Sequence, residues 1–522
     1  MNDISTGNNH FKNIWSNIYE VYINETKMDE SYNRVITNLK TTLYEPYQSD
    51  GVKWMLQREF DENILCDEIV SRGGVLADEV GLGKTLMSIS VIIGNPLDRT
   101  LILLPKSLVH QWKTQIQKFT HLQEIYIVDK QTKIDSNSTG VYLMSNSLLN
   151  CKNAIVGSSL IHQLKWDRVI IDEAHLLRNS KSKIYNSCMC IDADIRWCLT
   201  ATPVMNRMTD FVNLMGFLNV SQFLCQSDKE KVVNTFILRR TKEDVSKYNS
   251  SLELPECKID VEYIPFETKD EIDIYLSVFA KERQKVMTNK NKTVTDLLEH
   301  LLRIRQLSIH PQLYLDGMTK KTKHDHGTWD KPVTKINKLI EKITNQPKNE
   351  KTLIFCQFIK EMDIYQKALE EHGYKIVRLD GSMTMEDRNI SVEKFKKIPN
   401  ISIFLIQIAT GGQGINLQNA SRIYIMSPSW NPAIEYQAIG RSHRTGQKRK
   451  VYVTKFVIYS GDDRIPFVEE SMIKLQESKK QIISDVLNDT RIVNDGTNFI
   501  SKYDSEIDCK DIMHLFNIKR LI

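Results

Sequence analysis

Two stretches of this chain repeat one rhythm: a short unbroken apolar run, a small or polar turn, then a helical pattern. In the first the runs are "GGVLAD", "TLILLP", "RVIIDE" and "RWCLTATP". In the second they are "KTLIFCQF", "YKIVRLDG", "ISIFLIQIATGG", "SRIYIMSPS" and "VYVTKFVIY". Apolar runs this short, without polar alternation, read as strands buried on both faces of a parallel sheet. The helical patterns between them supply the covering layers, so the fold class is α/β with two separate sheets.

The first block spans residues 41–240 and the second 334–485, behind an N-terminal extension at 1–40. Between the blocks, 241–333 carries helix-period spacing in "DEIDIYLSVFAKERQKV" and "VTDLLEHLLRIRQLSIHP" with no strand signal, so a helical insertion is expected there. The polar segment "GMTKKTKHDHGTWDKP" reads as a loop, and its "HDH" has no third clustered ligand nearby. The tail at 486–522 has no clear period.

Composition narrows the class. Of 522 residues, 41% are hydrophobic and 26% charged, the balance of an ordinary soluble globular protein. Seventy basic against 65 acidic residues leave +5, too mild to imply nucleic acid unless the cations gather locally. Nine cysteines include no C-x-x-C pair, the nearest approach being Cys188 and Cys190, so scattered thiols in a reducing compartment are expected rather than zinc. The polar start "MNDISTGNNHFKNIW" lacks the apolar core of a signal peptide, and no run approaches the roughly 18 apolar residues of a membrane span. A soluble intracellular protein is the expectation.

"GGVLADEVGLGKTLMSISVI" is the most informative stretch of the first block. A strand through Val75 to Ala77 runs into a loop, and a helix starts near Lys84. Gly81 and Gly83 let backbone N–H groups turn toward an anion at the helix N-terminus. Lys84 supplies a point charge for β and γ phosphates, and the Thr85 hydroxyl can reach Mg²⁺. The general phosphate-loop pattern wants glycine where Asp78 stands.

"WDRVIIDEAH" supplies the other half of such a site. The run Val169 to Ile171 ends at Asp172 and Glu173, on the sheet edge where open α/β sheets bind ligands. Asp172 is suited to hold Mg²⁺ through water, and Glu173 to orient and deprotonate an attacking water. "LTATP" adds two hydroxyls after another strand, placed to sense the γ-phosphate. In the second block, "QAIGRSHRTGQ" holds Arg441 and Arg444 with no acid to neutralise them; on a helix, that spacing would put both guanidinium groups on one face.

Together with "LYEPYQSDGVKWM", "LLPKSLVHQWKTQIQKF", "FILRRTKEDV", "LDGSM", "ATGGQGINLQNA" and "SPSWNP", these motifs resemble the Swi/Snf-type family of ATP-driven DNA translocases in helicase superfamily two. The resemblance covers about four fifths of the chain in family order. It implies two RecA-like lobes, ATP with Mg²⁺, sequence-independent binding of double-stranded DNA, and remodelling or displacement of DNA-bound proteins. A transcription-termination ATPase is a variant within the same chemistry; an RNA-dependent helicase or a non-catalytic ATP- or DNA-binding scaffold are alternatives.

In that family the acidic pair Asp78 and Glu79 opens the phosphate loop, Gln48 lies on the adenine side, and Gly414 and Gln437 join the nucleotide-binding set. Arg441 and Arg444 become arginine fingers. Lys106, Gln111, Gln357, Thr410 and Trp430 are the DNA candidates, with Trp430 divided between a DNA edge and core packing. "LTATP" departs from the commoner "LTGTP" at Ala201, and the RING insertion of related branches is missing. The size and the wealth of Asn, Lys and Ile are similar to compact members from large insect DNA viruses.

Overall fold

The computed structural model describes residues 26–61, 63–65, 68–70, 72–129, 132, 134–135, 138–150, 160–204, 208–247, 255–288, 294–411, 415–444, 446–462, 467–487 and 515–516. Contacts divide these residues into two compact units, with the boundary between Glu253 and Leu254.

The first unit is built on seven parallel strands: β1 (Arg72–Leu76), β2 (Arg99–Leu104), β3 (Ile125–Val128), β4 (Gly140–Ser145), β5 (Trp166–Asp172), β6 (Ala193–Leu199) and the two-residue β7 (Ile237–Leu238). Their order across the sheet is β3-β4-β2-β5-β6-β1-β7, and every pairing is parallel. Leu101 to Leu104 and Val169 to Ile171 are buried, as expected for strands covered on both faces. Helices α1 (Tyr47–Phe60), α2 (Lys84–Gly94) and α3 (Val109–Phe119) bury Met55, Met87 and Trp112 in the same core as Ile102, Leu104 and Ile170. A helix over residues 26–38 adds Val35 to that core, so part of the expected N-terminal extension belongs to the unit.

Under this sheet lies a charged group with no solvent exposure. The Glu59 carboxylate on α1 accepts two bonds from Arg168 of β5, at 2.6 and 2.5 Å, one from Trp197 at 2.9 Å and one from Asn95 at 2.7 Å. Arg168 also donates to the Thr100 hydroxyl and the Asn95 carbonyl. A paired buried charge is tolerable; an orphaned one is not.

The second unit has six parallel strands: β8 (Cys257–Pro265), β9 (Lys351–Cys356), β10 (Lys375–Leu379), β11 (Ile401–Gln407), β12 (Ala420–Ile425) and β13 (Val451–Tyr459), in the order β8-β13-β12-β9-β11-β10. Strand β8 falls inside the region where no strand was expected. Its sequence "CKIDVEYIP" alternates polar and apolar residues, because an edge strand buries little, whereas the interior strands β9 and β11 are continuous apolar runs. Helices α4 (Lys269–Thr288), α5 (Val294–Ile309) and α6 (Pro311–Thr322) are part of this unit rather than a bridge. Tyr275, Val278, Leu301 and Ile304 from them share one core with Ile354, Leu405 and Phe456 of the sheet. Leu515 and Phe516, in the unassigned tail, are buried in that core too, the Phe516 ring 5.8 Å from that of Phe279. Helices α7 (Thr334–Asn345), α8 (Ile359–Glu371), α9 (Met385–Lys397), α10 (Pro432–Ile439) and α11 (Val468–Leu487) complete the unit. No helix among the described residues is long and apolar enough to cross a membrane.

Buried Glu361 caps α8 by accepting the backbone N–H of Gln357 and of Phe358. Burial pushes its carboxyl up to about 7, against the stabilising effect of those two bonds.

Two outcomes are expected. Arg168→Met leaves the Glu59 charge buried and unpaired and lowers the unfolding free energy by about 3–5 kcal/mol in chemical denaturation; a loss below about 1 kcal/mol would contradict this role. Folding raises the Glu361 pKa from 4.5 to about 7, so its contribution is complete below pH 4.5 and declines as pH rises to about 7. Glu361→Gln removes that slope, and above pH 7 it is more stable than wild type by up to about 3 kcal/mol, read from Tm and denaturant midpoints across pH.

Candidate functional site

Sheet order decides which loops meet. Strand β6 lies between β1 and β5, so the loops after these three strands leave one carboxyl edge side by side. They carry the phosphate loop, Thr200 to Thr202, and the Asp172–Glu173 pair. Thr202 donates its backbone N–H to the Thr200 hydroxyl at 3.1 Å, tightening the middle loop.

In the phosphate loop, Gly81 and Gly83 have φ of 96° and 87°, conformations that disfavour any side chain. Gly83 has a second constraint, since a Cβ there would lie 2.3 Å from the Gln48 amide nitrogen. That amide, buried on α1, donates to the Leu82 carbonyl at 3.2 Å, and its oxygen accepts the Tyr44 N–H at 3.0 Å. Gln48 therefore braces the loop. Helix α2 starts at Lys84 with no acid in its first turn and no side-chain cap, leaving its N-terminus suited to an anion. The Lys84 ammonium donates to the carbonyls of Asp78, at 2.6 Å, and Glu79, at 3.3 Å. Burial lowers its pKa, opposed by the charges of Asp78, Glu173, Asp172 and Glu79.

The Asp78 and Glu79 carboxylates are both engaged by the segment after β7. Fully buried Asp78 accepts the Arg240 backbone N–H and Nε, both at 3.0 Å, and its second oxygen lies 2.5 Å from an Arg240 terminal nitrogen. Glu79 accepts the Lys242 N–H at 2.9 Å and pairs with its ammonium at 3.2 Å. The acidic pair fastens the phosphate loop to "RRTKEDV" after β7, and only its carbonyls are turned to Lys84. Arg240 was absent from the sequence-based site list; the motif "FILRRTKEDV" was its signal.

At the end of β5, Asp172 is 9% exposed. One carboxylate oxygen accepts the Trp112 indole N–H at 2.8 Å and the other the Glu173 N–H at 2.9 Å. Burial, then the charge of Glu173, push Asp172 up to about 6. Glu173 is left-handed, with φ 54° and ψ 49°, strain of a kind that clusters at functional sites. Its carboxylate is 3.2 Å from His175 Nδ1. Trp112, which sequence reasoning passed over within "LVHQWKTQ", is what orients Asp172. The donor set fits a hydrated divalent cation: a carboxylate held by two N–H groups, with the half-buried Thr85 hydroxyl opening α2.

In the second unit, helix α10 stops at Ile439, so Arg441 and Arg444 do not share a helix face. Gly440 follows, and the chain closes successive turns: Arg441 N–H to the Ala438 carbonyl, His443 to Ile439, Gln447 to Arg444. The Gln447 amide donates to the carbonyls of Gln418, Ala420 and Ser442, and the Ser442 hydroxyl to Ala420, pinning the arginine turn to the start of β12. Arg441 is buried, and burial lowers the pKa of Arg444. Gln437 is half-buried on α10, and Gly414 lies outside the described residues.

Among the nucleic-acid candidates, Lys106 and Gln111 are exposed on the first unit. The Gln357 amide is engaged by the Ser429 hydroxyl at 3.1 Å and the Ser427 carbonyl at 3.4 Å, and the Thr410 hydroxyl by the Gln407 carbonyl at 2.8 Å. Trp430 packs, partly buried, on the core of the second unit.

A phosphate loop and a strand-end acidic pair on one parallel sheet define the phosphate-loop class of α/β protein. Family comparison is more specific: residues 47–230 match the SNF2-related domain and 334–446 the helicase conserved C-terminal domain. The chain belongs to the Snf2-type family of helicase superfamily two.

The probable global transactivator of Orgyia pseudotsugata multicapsid polyhedrosis virus is 27% identical over 479 residues, covering 85% of this chain and 92% of its own length. DNA repair protein RAD5B of Arabidopsis thaliana is 25% identical, covering 81% of this chain and 46% of itself. The ISWI chromatin-remodeling complex ATPase ISW2 of Saccharomyces cerevisiae is 28% identical, covering 86% and 41%. The chain thus spans less than half the length of these two cellular relatives and most of the viral one. The solved Sulfolobus solfataricus SWI2/SNF2 ATPase core in complex with dsDNA aligns with 86% of this chain and 93% of its own, at 24% identity and a TM-score of 0.37.

Trp112→Phe keeps an aromatic ring in the core but removes the indole donor, at the cost of a cavity common to both backgrounds below. Denaturation is expected to show a loss larger by about 1–3 kcal/mol in wild type than in an Asp172→Ala background, where the indole has no carboxylate to donate to. Equal losses in both backgrounds would exclude the Trp112–Asp172 bond as the cause.

Proposed function

We propose that the chain is an ATPase driven by double-stranded DNA, which moves along the duplex through sequence-independent backbone contacts and displaces or remodels bound proteins. The observation that carries this reading is the joint presence, on one sheet edge, of a glycine-shaped phosphate loop with Lys84 and the oriented pair Asp172–Glu173. Membership of the Snf2-type family supplies the nucleic-acid side.

In this reading Lys84 and the loop N–H groups bind the triphosphate of ATP. Asp172 and Thr85 hold Mg²⁺, which when bound neutralises phosphate charge. Glu173 takes the proton from the attacking water, Gln48 supports the loop on the adenine side, and Arg441 and Arg444 add cationic charge during hydrolysis. Lys106, Gln111 and Thr410 contact phosphates, where hydroxyl, amide and ammonium groups position a duplex without reading it. The bonds that engage Gln357 and the packing of Trp430 favour a supporting role for both. Work on duplex DNA fits a nuclear location, the host nucleus for a viral protein, or the cytoplasm; nucleosomes or a transcription complex are the substrates of the same reading.

ATP hydrolysis measured with duplex DNA, single-stranded DNA and RNA tests it. Duplex DNA is expected to stimulate most, and stimulation by RNA alone would reassign the chain to RNA-dependent helicases. Glu173→Gln is expected to lower kcat by about 10²–10⁴ while ATP binding persists. Arg441→Ala and Arg444→Ala are expected to lose about 10³. If the biological effect survives in Glu173→Gln, the chain acts as a scaffold.

A further inference from the structure

The loop from Met426 to Asn431, between β12 and α10, is held in an unusual way. Four successive backbone carbonyls each accept a bond from a side chain on a different element. Lys335 of α7 donates to Met426 at 2.6 Å, and Gln357, after β9, to Ser427 at 3.4 Å. Arg305 of α5 donates to Pro428 at 2.9 Å, and Gln476 of α11 to Ser429. Those donors lie 91, 70, 123 and 47 residues away along the chain. The Ser429 N–H meets the Glu435 carboxylate of α10 at 2.5 Å, which also accepts from Gln476 at 2.8 Å and pairs with Lys455 of β13.

Loop carbonyls normally reach water or nearby backbone. Here Ser427, Ser429, Glu435, Lys455, Gln476 and Lys335 are all at most 6% exposed. Well-packed apolar side chains could stabilise this interior equally well. What four directed donors add is a single geometry, because each carbonyl has its own partner and a shifted loop would leave several unsatisfied at once. The loop also determines where α10 begins, and α10 leads through Gly440 into the turn that carries Arg441 and Arg444.

We propose that Arg305 and Gln476 are positioning residues: by clamping the Met426–Asn431 loop to the helical layer, they set the direction in which α10 and its arginine turn leave the sheet. The helices of 269–322, for which the sequence suggested only an insertion, thereby act on the arginines through one guanidinium. The kinetic consequence rests on the ATPase reading above; the clamp itself does not.

The test uses the full chain in three variants: Arg305→Met, Arg305→Lys and Gln476→Leu. Hydrogen exchange in peptides spanning 426–440 is expected to quicken about tenfold in Arg305→Met and Gln476→Leu, with core strands β9 and β11 unchanged. Duplex-stimulated kcat is expected to fall about tenfold or more with KM for ATP within about twofold, since misplaced groups lose rate rather than ground-state binding. Arg305→Lys, which keeps one donor, recovers part of both readouts. Unchanged exchange in 426–440 in either folded variant overturns the clamp, and unchanged kcat in an active protein overturns its link to hydrolysis. A wild type that hydrolyses no ATP sinks the proposed function, while the exchange result still decides the clamp. If Arg305→Met fails to fold, Gln476→Leu carries the same decision.

Discussion

The phosphate loop depends on a bond it does not display. Asp78 carries a full charge with no solvent contact, and Arg240, from beyond β7, matches it with a backbone and a side-chain N–H on one oxygen and a terminal nitrogen beside the other. A carboxylate buried this way is strongly constrained, because removing its partner leaves charge in low dielectric. The loop's start is thereby fixed, which leaves the glycines to shape the rest and the Asp78 carbonyl to hold Lys84. Gln48 supports the loop from α1 through the Leu82 carbonyl.

Orientation by a committed donor recurs in each unit. Trp112 and the Glu173 N–H each take one oxygen of Asp172, so the carboxylate has little rotational freedom. The Gln447 amide binds three carbonyls and locks the arginine turn against β12. These groups fix the direction of side chains proposed to react or bind, without carrying such a role themselves. Such pre-orientation matters because a charge-stabilising site gains most when its dipoles need no rearrangement.

The second unit shows how an apparently separate segment becomes part of one folded core. Helices α4 to α6 bury Tyr275, Leu301 and Ile304 on the same core as β9, β11 and β13, while β8 extends the sheet edge. The division of the chain therefore falls near Glu253, not at the ends of the segment that lacks buried-strand signals. From that layer Arg305 reaches the Pro428 carbonyl, joining helices with no chemistry of their own to a loop that leads to the arginines.

Both sheets, nine of their strands, the phosphate loop and the Asp172–Glu173 pair were legible in the sequence, because burial on two faces and anion binding at a helix start each demand residues at short, fixed spacing. Strands β3, β4, β7 and β8 were not: β3, β7 and β8 lie at sheet edges, where β8 alternates like a solvated segment, and β4 is the interior strand beside β3. The bonds of Asp78 to Arg240, of Asp172 to Trp112 and of four loop carbonyls to distant side chains were beyond any local pattern: their partners lie 47 to 162 residues apart. The helical face imagined for Arg441 and Arg444 was equally a tertiary decision, made where Gly440 ends α10 and Gln447 ties the following turn to β12. Sequence determined which groups the protein owns and which strand or loop carries each. Only the fold decided where they point, because direction comes from partners that chain separation hides.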